Sequence, residues 1–263
     1  MRNPRAILIT GASSGIGAAL AHLYAGPGIA LALSGRDRQR LDKVAEKCRS
    51  LGASVLAEAV DATDAAAMER FVGAAEAFAP LELVIANAGI SGGSGLTGET
   101  AEQARQIFKV NLDGVLNTVL PALKHLRRRR RGQVALMSSL ASFRGFPGAP
   151  AYCASKAAVR VWGEGLRPAL AAEGIDLSVI CPGFVTTRMT EGNPFPMPFL
   201  MDAERAARIV QGGLAANRAR IAFPFPMRLA DRRAGCATQV IQSSEHRSRC
   251  GASTGCRRAG RGG

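Results

Sequence analysis

"RAILITGASSGIGAALAHLYA" (residues 5–25) decides the architecture of the chain. A short apolar run, 5–10, ends in a glycine-rich turn, and "AALAHLYA" continues with helical character. A strand that feeds a helix through glycines is the opening unit of a parallel, crossover-connected sheet. The rest of the chain repeats the alternation. Apolar runs at 29–35, 54–61, 81–89, 132–139 and 175–183 read as further strands. Helices are expected at 38–52, 65–78, 101–126, 152–172 and 203–218, the last N-capped by Asp202. Strands this short and this apolar are buried on both faces, so helices must cover both sides. The fold class is α/β: a doubly wound parallel sheet, a Rossmann fold in three α/β/α layers.

The totals fit one such domain. The chain has 263 residues, 47% of them hydrophobic and 21% charged, an ordinary globular balance. No apolar stretch approaches the roughly 18 to 20 residues of a membrane span, and the N-terminal residues show no signal-peptide pattern. A cytoplasmic protein is expected. The cysteines at 48, 153, 181, 236, 250 and 256 and the histidines at 22, 125 and 246 lack paired metal spacing, so no metal site is expected and reduced thiols are the default. The formal charge of +14 is concentrated in "RRRRR" (127–131) and in residues 231–263. That last segment is basic, poor in apolar residues and aperiodic. It reads as a tail, disordered or produced by a change of reading frame, appended to a catalytic domain of residues 1–230. "RIAFPFP" (220–226) offers a short last strand. Proline-rich 184–201, "FVTTRMTEGNPFPMPFLM", breaks the alternation where it leaves the sixth strand, and is preferred as a lid over a packing segment.

The glycines at 11, 15 and 17 leave room for a pyrophosphate, and the helix behind them presents free N–H groups and a partial positive charge. Ser13, Ser14 and Ile16 complete that turn. At the end of the second strand, "LSGRD", Gly35 stands where a carboxylate would bind the ribose hydroxyls of NAD, and Arg36 follows. A guanidinium pairs with a 2′-phosphate, so NADP(H) is favoured, with Asp37 the dissenting residue. Asp61, closing the third strand, suits the adenine edge.

In "AYCASKAAVR" (151–160), Tyr152 and Lys156 lie at i and i+4 on one helix face. Ser139 ends the fifth strand, and Asn111 lies in "KVNLDG". A tyrosine packed half-buried on a helix is the commoner case, but Ser139, Lys156 and the glycine turn together favour a reaction centre. Ser138 and Ser142 compete less well for the serine role. Cys153 lacks a histidine in these motifs to activate it and reads as packing.

With "TGASSGIG" (10–17), "NAG" (87–89) and "PGFVTT" (182–187), these residues strongly resemble the short-chain dehydrogenase/reductase family over about residues 5–190. The resemblance implies a tetrad of Asn111, Ser139, Tyr152 and Lys156. It also implies that Asn87, Ala88 and Gly89 support the central strand, and that Pro182, Gly183, Val185 and Thr187 embrace the nicotinamide end. In chemical terms, the tyrosine exchanges a proton with the substrate oxygen, the serine holds that oxygen, and the lysine ammonium lowers the phenol's pKa. Asn111 would hold a water that relays protons from Lys156.

The expected function is an oxidoreductase moving a hydride between NADP(H) and a carbonyl or secondary alcohol. Phe184, Phe195, Met197, Phe199, Leu200 and Met201 suggest an apolar substrate, with a 3-oxoacyl or 3-ketosphinganine-type reductase as a narrower reading. A nucleotide-binding redox sensor, and a nucleic-acid binder using the arginine run, are the non-enzyme alternatives. Specific nucleic-acid binding is not expected, because the run reads as a solvated turn without aromatic residues. Helices 101–126 and 152–172 would pair a homodimer. A tetramer is in doubt, because no "VDGG"-like C-terminal segment is present.

Overall fold

The computed structural model describes residues 3–92, 98–191 and 196–224. The 231–263 tail, its three cysteines and Phe195 lie outside the described residues. Seven strands form one parallel sheet: β1 (Ala6–Thr10), β2 (Ala30–Gly35), β3 (Ser54–Ala59), β4 (Leu83–Ala86), β5 (Gly132–Met137), β6 (Ile175–Pro182) and β7 (Arg220–Phe223). Their order is β3-β2-β1-β4-β5-β6-β7. The chain winds outward from β1 in one direction and from β4 in the other. Between β1 and β4 the crossovers diverge and leave a crevice at the carboxyl ends of the strands, where ligands of such sheets bind.

Burial follows the apolar runs. Every residue of β1, β4 and β5 is buried, which only a sheet covered on both faces permits. One face packs α1 (Gly15–Tyr24), α2 (Arg38–Ser50) and α7 (Ala203–Ala215) around Ile7, Ile9, Leu33 and Ile180. The other packs α3 (Ala65–Phe78), α5 (Gly114–Arg129) and α6 (Pro150–Ala172) around Leu8, Phe71, Val84 and Leu177.

Local caps start most helices. The side chains of Asp37, Asp64 and Asp202 accept N–H bonds from Arg40, Ala67 and Arg205. Thr100 forms a reciprocal box with Gln103 at the start of α4 (Ala101–Phe108). Two helices differ. No side chain caps α1 at Ser14, and α6 opens with Pro150 behind Ala149, which cannot cap.

Several elements depart from the sequence reading. The helix expected over 101–126 is two helices joined by a π-helical turn, Lys109–Asp113, and it runs on to Arg129. The fourth strand is four residues long because the chain turns away at Asn87 into the crevice.

The arginine run is solvated, every one of its residues exposed, but only part of it is a turn. Arg127, Arg128 and Arg129 form the last turn of α5, where their charge suits the helix dipole. Arg127 pairs with Glu173 at 2.6 Å, Arg129 with Glu76, and Arg131 with Glu82 at 3.5 Å. Arg129 also donates to the Leu81 carbonyl at 2.7 Å and Arg130 to that of Ala172 at 3.3 Å. The run is thus spent on neighbouring loops at the end of the sheet opposite the crevice, and three of its five charges already face carboxylates.

Candidate active site

Three loops meet at the crevice. Gly11 and Gly15 both lie at positive φ, +65° and +57°, the left-handed region that suits glycine. A Cβ on Gly11 would come within 2.8 Å of Ala88 Cα, and one on Gly15 within 2.9 Å of Thr187 Cγ2. The Gly11 and Ala88 backbones touch, and Thr187 closes over Gly15. Asn87 ties these parts together. Its amide donates to the carbonyls of Thr10 (2.9 Å) and Gly11 (3.1 Å). Thr10 Oγ1 accepts in return from the N–H groups of Asn87 (3.1 Å) and Ala88 (3.2 Å). The "NAG" turn therefore braces the glycine turn as well as ending β4. Thr10 was not among the residues read from the sequence, although it stands inside the quoted motif.

The uncapped start of α1, with no side chain in its first turn larger than that of Ile16, is open to an anion. Gly35 abuts Ser13: a Cβ there would lie 3.0 Å from Ser13 Cβ and Oγ. Arg36 is exposed beside it. Asp37 is used elsewhere, accepting from Arg40 N at 2.9 Å and pairing with the Arg40 guanidinium. Burial pushes the Asp61 carboxyl up. Bonds from Thr63 and the charges of Arg36 and Lys109 outweigh that and hold it below the usual range. In this cradle Gly11–Gly17 would hold a pyrophosphate, and Arg36 and Asp61 would face an adenosine.

On the other side of the crevice, α6 presents Tyr152 and Lys156. Protein atoms crowd the Tyr152 phenol, and burial raises its pKa; the Ser139 side chain beside it opposes that shift. Ser139 Oγ accepts from Ala141 N at 3.1 Å and reaches the Pro182 carbonyl at 3.4 Å. Lys156 is buried, its Nζ 2.9 Å from the Met137 carbonyl and 5.9 Å from the centre of the Tyr152 ring. Burial lowers its pKa to about 8. Desolvation therefore dominates at both groups, where the sequence reading had the ammonium lowering the phenol.

The other candidates separate clearly. Ser138 Oγ donates to the Lys156 carbonyl at 2.8 Å, and Ser142 is buried behind the strand end. Cys153 is buried, and burial raises its thiol pKa. Asn111 lies in the π-helical turn with its side chain fully engaged. Its Oδ1 accepts from Ile90 N (2.8 Å), and its amide donates to Ile90 O (2.9 Å) and Ser155 Oγ (3.0 Å). Gly89 stands close by, its Cβ direction 3.1 Å from Lys156 Nζ and 3.2 Å from Asn111 Oδ1.

The 184–201 segment leaves the site and returns to it. Val185 bridges Met201, and Thr186 N–H donates to the Met201 carbonyl at 2.8 Å. Thr190 Oγ1 holds Val185 O (2.7 Å) and Thr187 N (3.0 Å). Val185 and Met201 are buried in the core, whereas Met189, Phe199 and Leu200 are exposed. Among the described residues no group of three or more His, Cys, Asp or Glu is placed to hold a metal ion, and no helix is long and apolar enough to cross a membrane.

Lys156 gives a measurable pH signature. Its folded pKa of about 8 lies below the unfolded value of about 10.4. Between those values the unfolded chain binds more protons, so the lysine's contribution to stability rises with pH and is complete near pH 10. Above that, the raised pKa values of Tyr24 and Tyr152 act in the opposite sense. Urea-unfolding midpoints of Lys156→Met are expected to lose the rise between about pH 8 and 10; profiles parallel to wild type would refute the assignment.

The parallel sheet with its crevice behind a glycine turn is the architecture of dinucleotide-binding proteins, and the comparisons with known proteins give the family. Residues 5–194 match the family model for short chain dehydrogenases. An uncharacterised oxidoreductase of Myxococcus xanthus is 36% identical over 231 residues, 88% of this chain and 91% of that protein. The galactitol 2-dehydrogenase (L-tagatose-forming) of Cereibacter sphaeroides is 33% identical over 69% of this chain and 72% of its own length. In fold, a short-chain dehydrogenase/reductase of Burkholderia phymatum, solved in complex with NAD, superposes with a TM-score of 0.80 at 24% identity, over 88% of this chain and 92% of that one. The chain belongs to the short-chain dehydrogenase/reductase family. It is an oxidoreductase acting on CH–OH groups with a nicotinamide cofactor.

Proposed function

We propose that the protein is an NADP(H)-dependent reductase or dehydrogenase that interconverts a carbonyl and a secondary alcohol on an apolar small molecule, with Tyr152 as the general acid/base. The observation that carries this reading is that Ser139 and Lys156 both flank the Tyr152 phenol: Ser139 opposes the rise in its pKa, and Lys156 Nζ lies 5.9 Å from the centre of its ring. A bound nicotinamide cofactor would supply the hydride to the carbonyl carbon in the reducing direction. Tyr152 gives its phenolic proton to the carbonyl oxygen, which Ser139 holds by a hydrogen bond. The Lys156 ammonium, about a turn away, stabilises the phenolate left behind and binds the ribose hydroxyls. In the oxidising direction the phenolate removes the alcohol proton as hydride leaves the carbon. Asn111 holds Ile90 and Ser155, and so the floor of the site.

The preference for NADP(H) rests on three neighbours. A carboxylate in place of Gly35 would press its Cβ against Ser13. Asp37 is bound to Arg40. Arg36 is exposed with its charge toward Asp61. Arg36→Ala is expected to raise the KM for NADPH about 10- to 100-fold, the value of one or two charge-assisted hydrogen bonds, with little change for NADH. Equal effects on both cofactors would remove Arg36 from the 2′-phosphate.

Exposed Met189, Phe199 and Leu200 on the 184–201 segment support an apolar substrate. Phe108, Leu120 and Val161, exposed on α4, α5 and α6, support a homodimer through those helices. The test of the function is a panel of apolar ketones and alcohols assayed with NADPH and NADH by nicotinamide absorbance. Cofactor binding without turnover across the panel would overturn it and favour a redox sensor.

A further inference from the structure

We propose that Glu99 is a positioning residue for the tyrosine of the site, holding Tyr152 by its backbone from outside its own helix; this rests on the reading of Tyr152 as the acid/base. The start of α6 has no local means of satisfying its donors. Ala149 carries no capping group, and Pro150 has no N–H. Cys153 N–H is already bonded to the Ala149 carbonyl at 3.0 Å. The two remaining donors are those of Ala151 and Tyr152. Glu99 takes both: Oε2 accepts from Ala151 N at 2.5 Å and Oε1 from Tyr152 N at 3.0 Å.

The other end of the tyrosine's backbone is held by a second chain of contacts. Ser155 Oγ donates to the Tyr152 carbonyl at 2.8 Å and accepts from the Asn111 amide, which is fastened on both sides to Ile90. Glu99 and Ile90 both belong to the connection between β4 and α4. That one connection therefore grips the N–H and, through Asn111 and Ser155, the C=O of the same residue. Ser139, on the loop after β5, is fixed independently through Ala141 and Pro182. Ser139 and Tyr152 thus stand on two separately held assemblies, and the approach of the phenol to Ser139 depends on the carboxylate that holds the start of α6. A bidentate carboxylate in a partly buried setting is directional, so Gln, with one acceptor oxygen, retains half of the grip and Ala none.

The test uses the full chain with Tyr24→Phe. The sequence contains two tyrosines, so Tyr152 alone then titrates in the phenolate ultraviolet band. In this background Glu99→Ala and Glu99→Gln are compared for that titration, for turnover per NADPH-binding site counted by nucleotide fluorescence, and for the KM of NADPH. Loss of Glu99 is expected to lower kcat per binding site about 10- to 100-fold for Ala and less for Gln, the scale of an ångström-sized misplacement, with the NADPH KM nearly unchanged. The phenol's titration midpoint moves upward as it leaves Ser139. A carboxylate that served only helix stability would lower the melting temperature and the number of binding sites, leaving turnover per site and the phenol titration as in wild type; that result overturns the proposal. Should Glu99→Ala fail to fold, Glu99→Gln decides by the same two readouts. If the wild type turns over no substrate while the midpoint still moves, the catalytic reading fails and the placement by Glu99 stands.

Discussion

Tyr152→Phe is expected to lower kcat by about 10³-fold or more while leaving the dissociation constant for the nicotinamide dinucleotide within a few-fold of wild type. The substitution removes one oxygen, and with it the proton that the substrate oxygen needs. It leaves the ring, the packing of α6 and the glycine turn in place. The phenol's ordinary pKa of about 10 already costs roughly 4 kcal/mol of proton affinity mismatch at neutral pH, and burial in the ligand-free protein raises it further. The residue can serve only because Ser139, and a nearby positive charge once the site is filled, stabilise the phenolate. Turnover should accordingly rise with pH in the oxidising direction as the phenol ionises and fall in the reducing direction. Steady-state rates in both directions, together with a fluorescence titration of NADPH, measure the effect. Turnover within tenfold of wild type would remove Tyr152 from the chemistry.

The second large effect is expected at Gly17. A Cβ there would overlap the Gly11 carbonyl and approach Asn87 Nδ2 to 2.6 Å. Neither is the free end of a flexible side chain: one is backbone, and the other is the amide that ties β4 to β1 through Thr10. Gly17→Ala must therefore separate α1 from the turn it covers. A cost of about 1–3 kcal/mol is expected from overpacking. Because moving α1 off the turn would carry its free N–H groups away from the proposed phosphate position, the dinucleotide should bind about 100-fold more weakly, the scale of an ångström of misplacement. Thermal melting and a nucleotide titration report the two losses separately. Unchanged dinucleotide binding would show that the glycines serve only the turn. Gly73, whose Cβ would meet nothing within 4 Å, is the control: Gly73→Ala on the helix α3 should leave binding unaltered.

The fold was legible in the order of its apolar runs. Six strands and the helices between them follow from runs of four to eight apolar residues punctuated by glycine, asparagine or aspartate, and the short β7 falls within the 220–226 stretch. These signals are local, so they survive without knowledge of neighbours. The same holds for Asp202, whose capping side chain precedes its helix in the sequence. Where the reading departed from the structure, the deciding contact came from far along the chain. The helix containing Asn111 is wound into a π turn where its side chain binds Ile90 and Ser155. The arginine run is exposed as read, but its ion pairs were hidden because Glu76, Glu82 and Glu173 are distant in sequence.

The sequence by itself determined that strands alternate with helices, that glycines open the first helix, and that Tyr152 and Lys156 share a helix face. Each of these depends on spacing within a few residues. Only the tertiary structure decided that Thr10 and Asn87 lock the glycine turn to β4, and that Glu99 stands at the head of α6. The physical reason is that hydrogen bonds between segments 40 to 80 residues apart depend on where the sheet brings their ends. Burial, which moves Tyr152 and Lys156 away from their ordinary pKa values, belongs to the packed site and to no single stretch of chain.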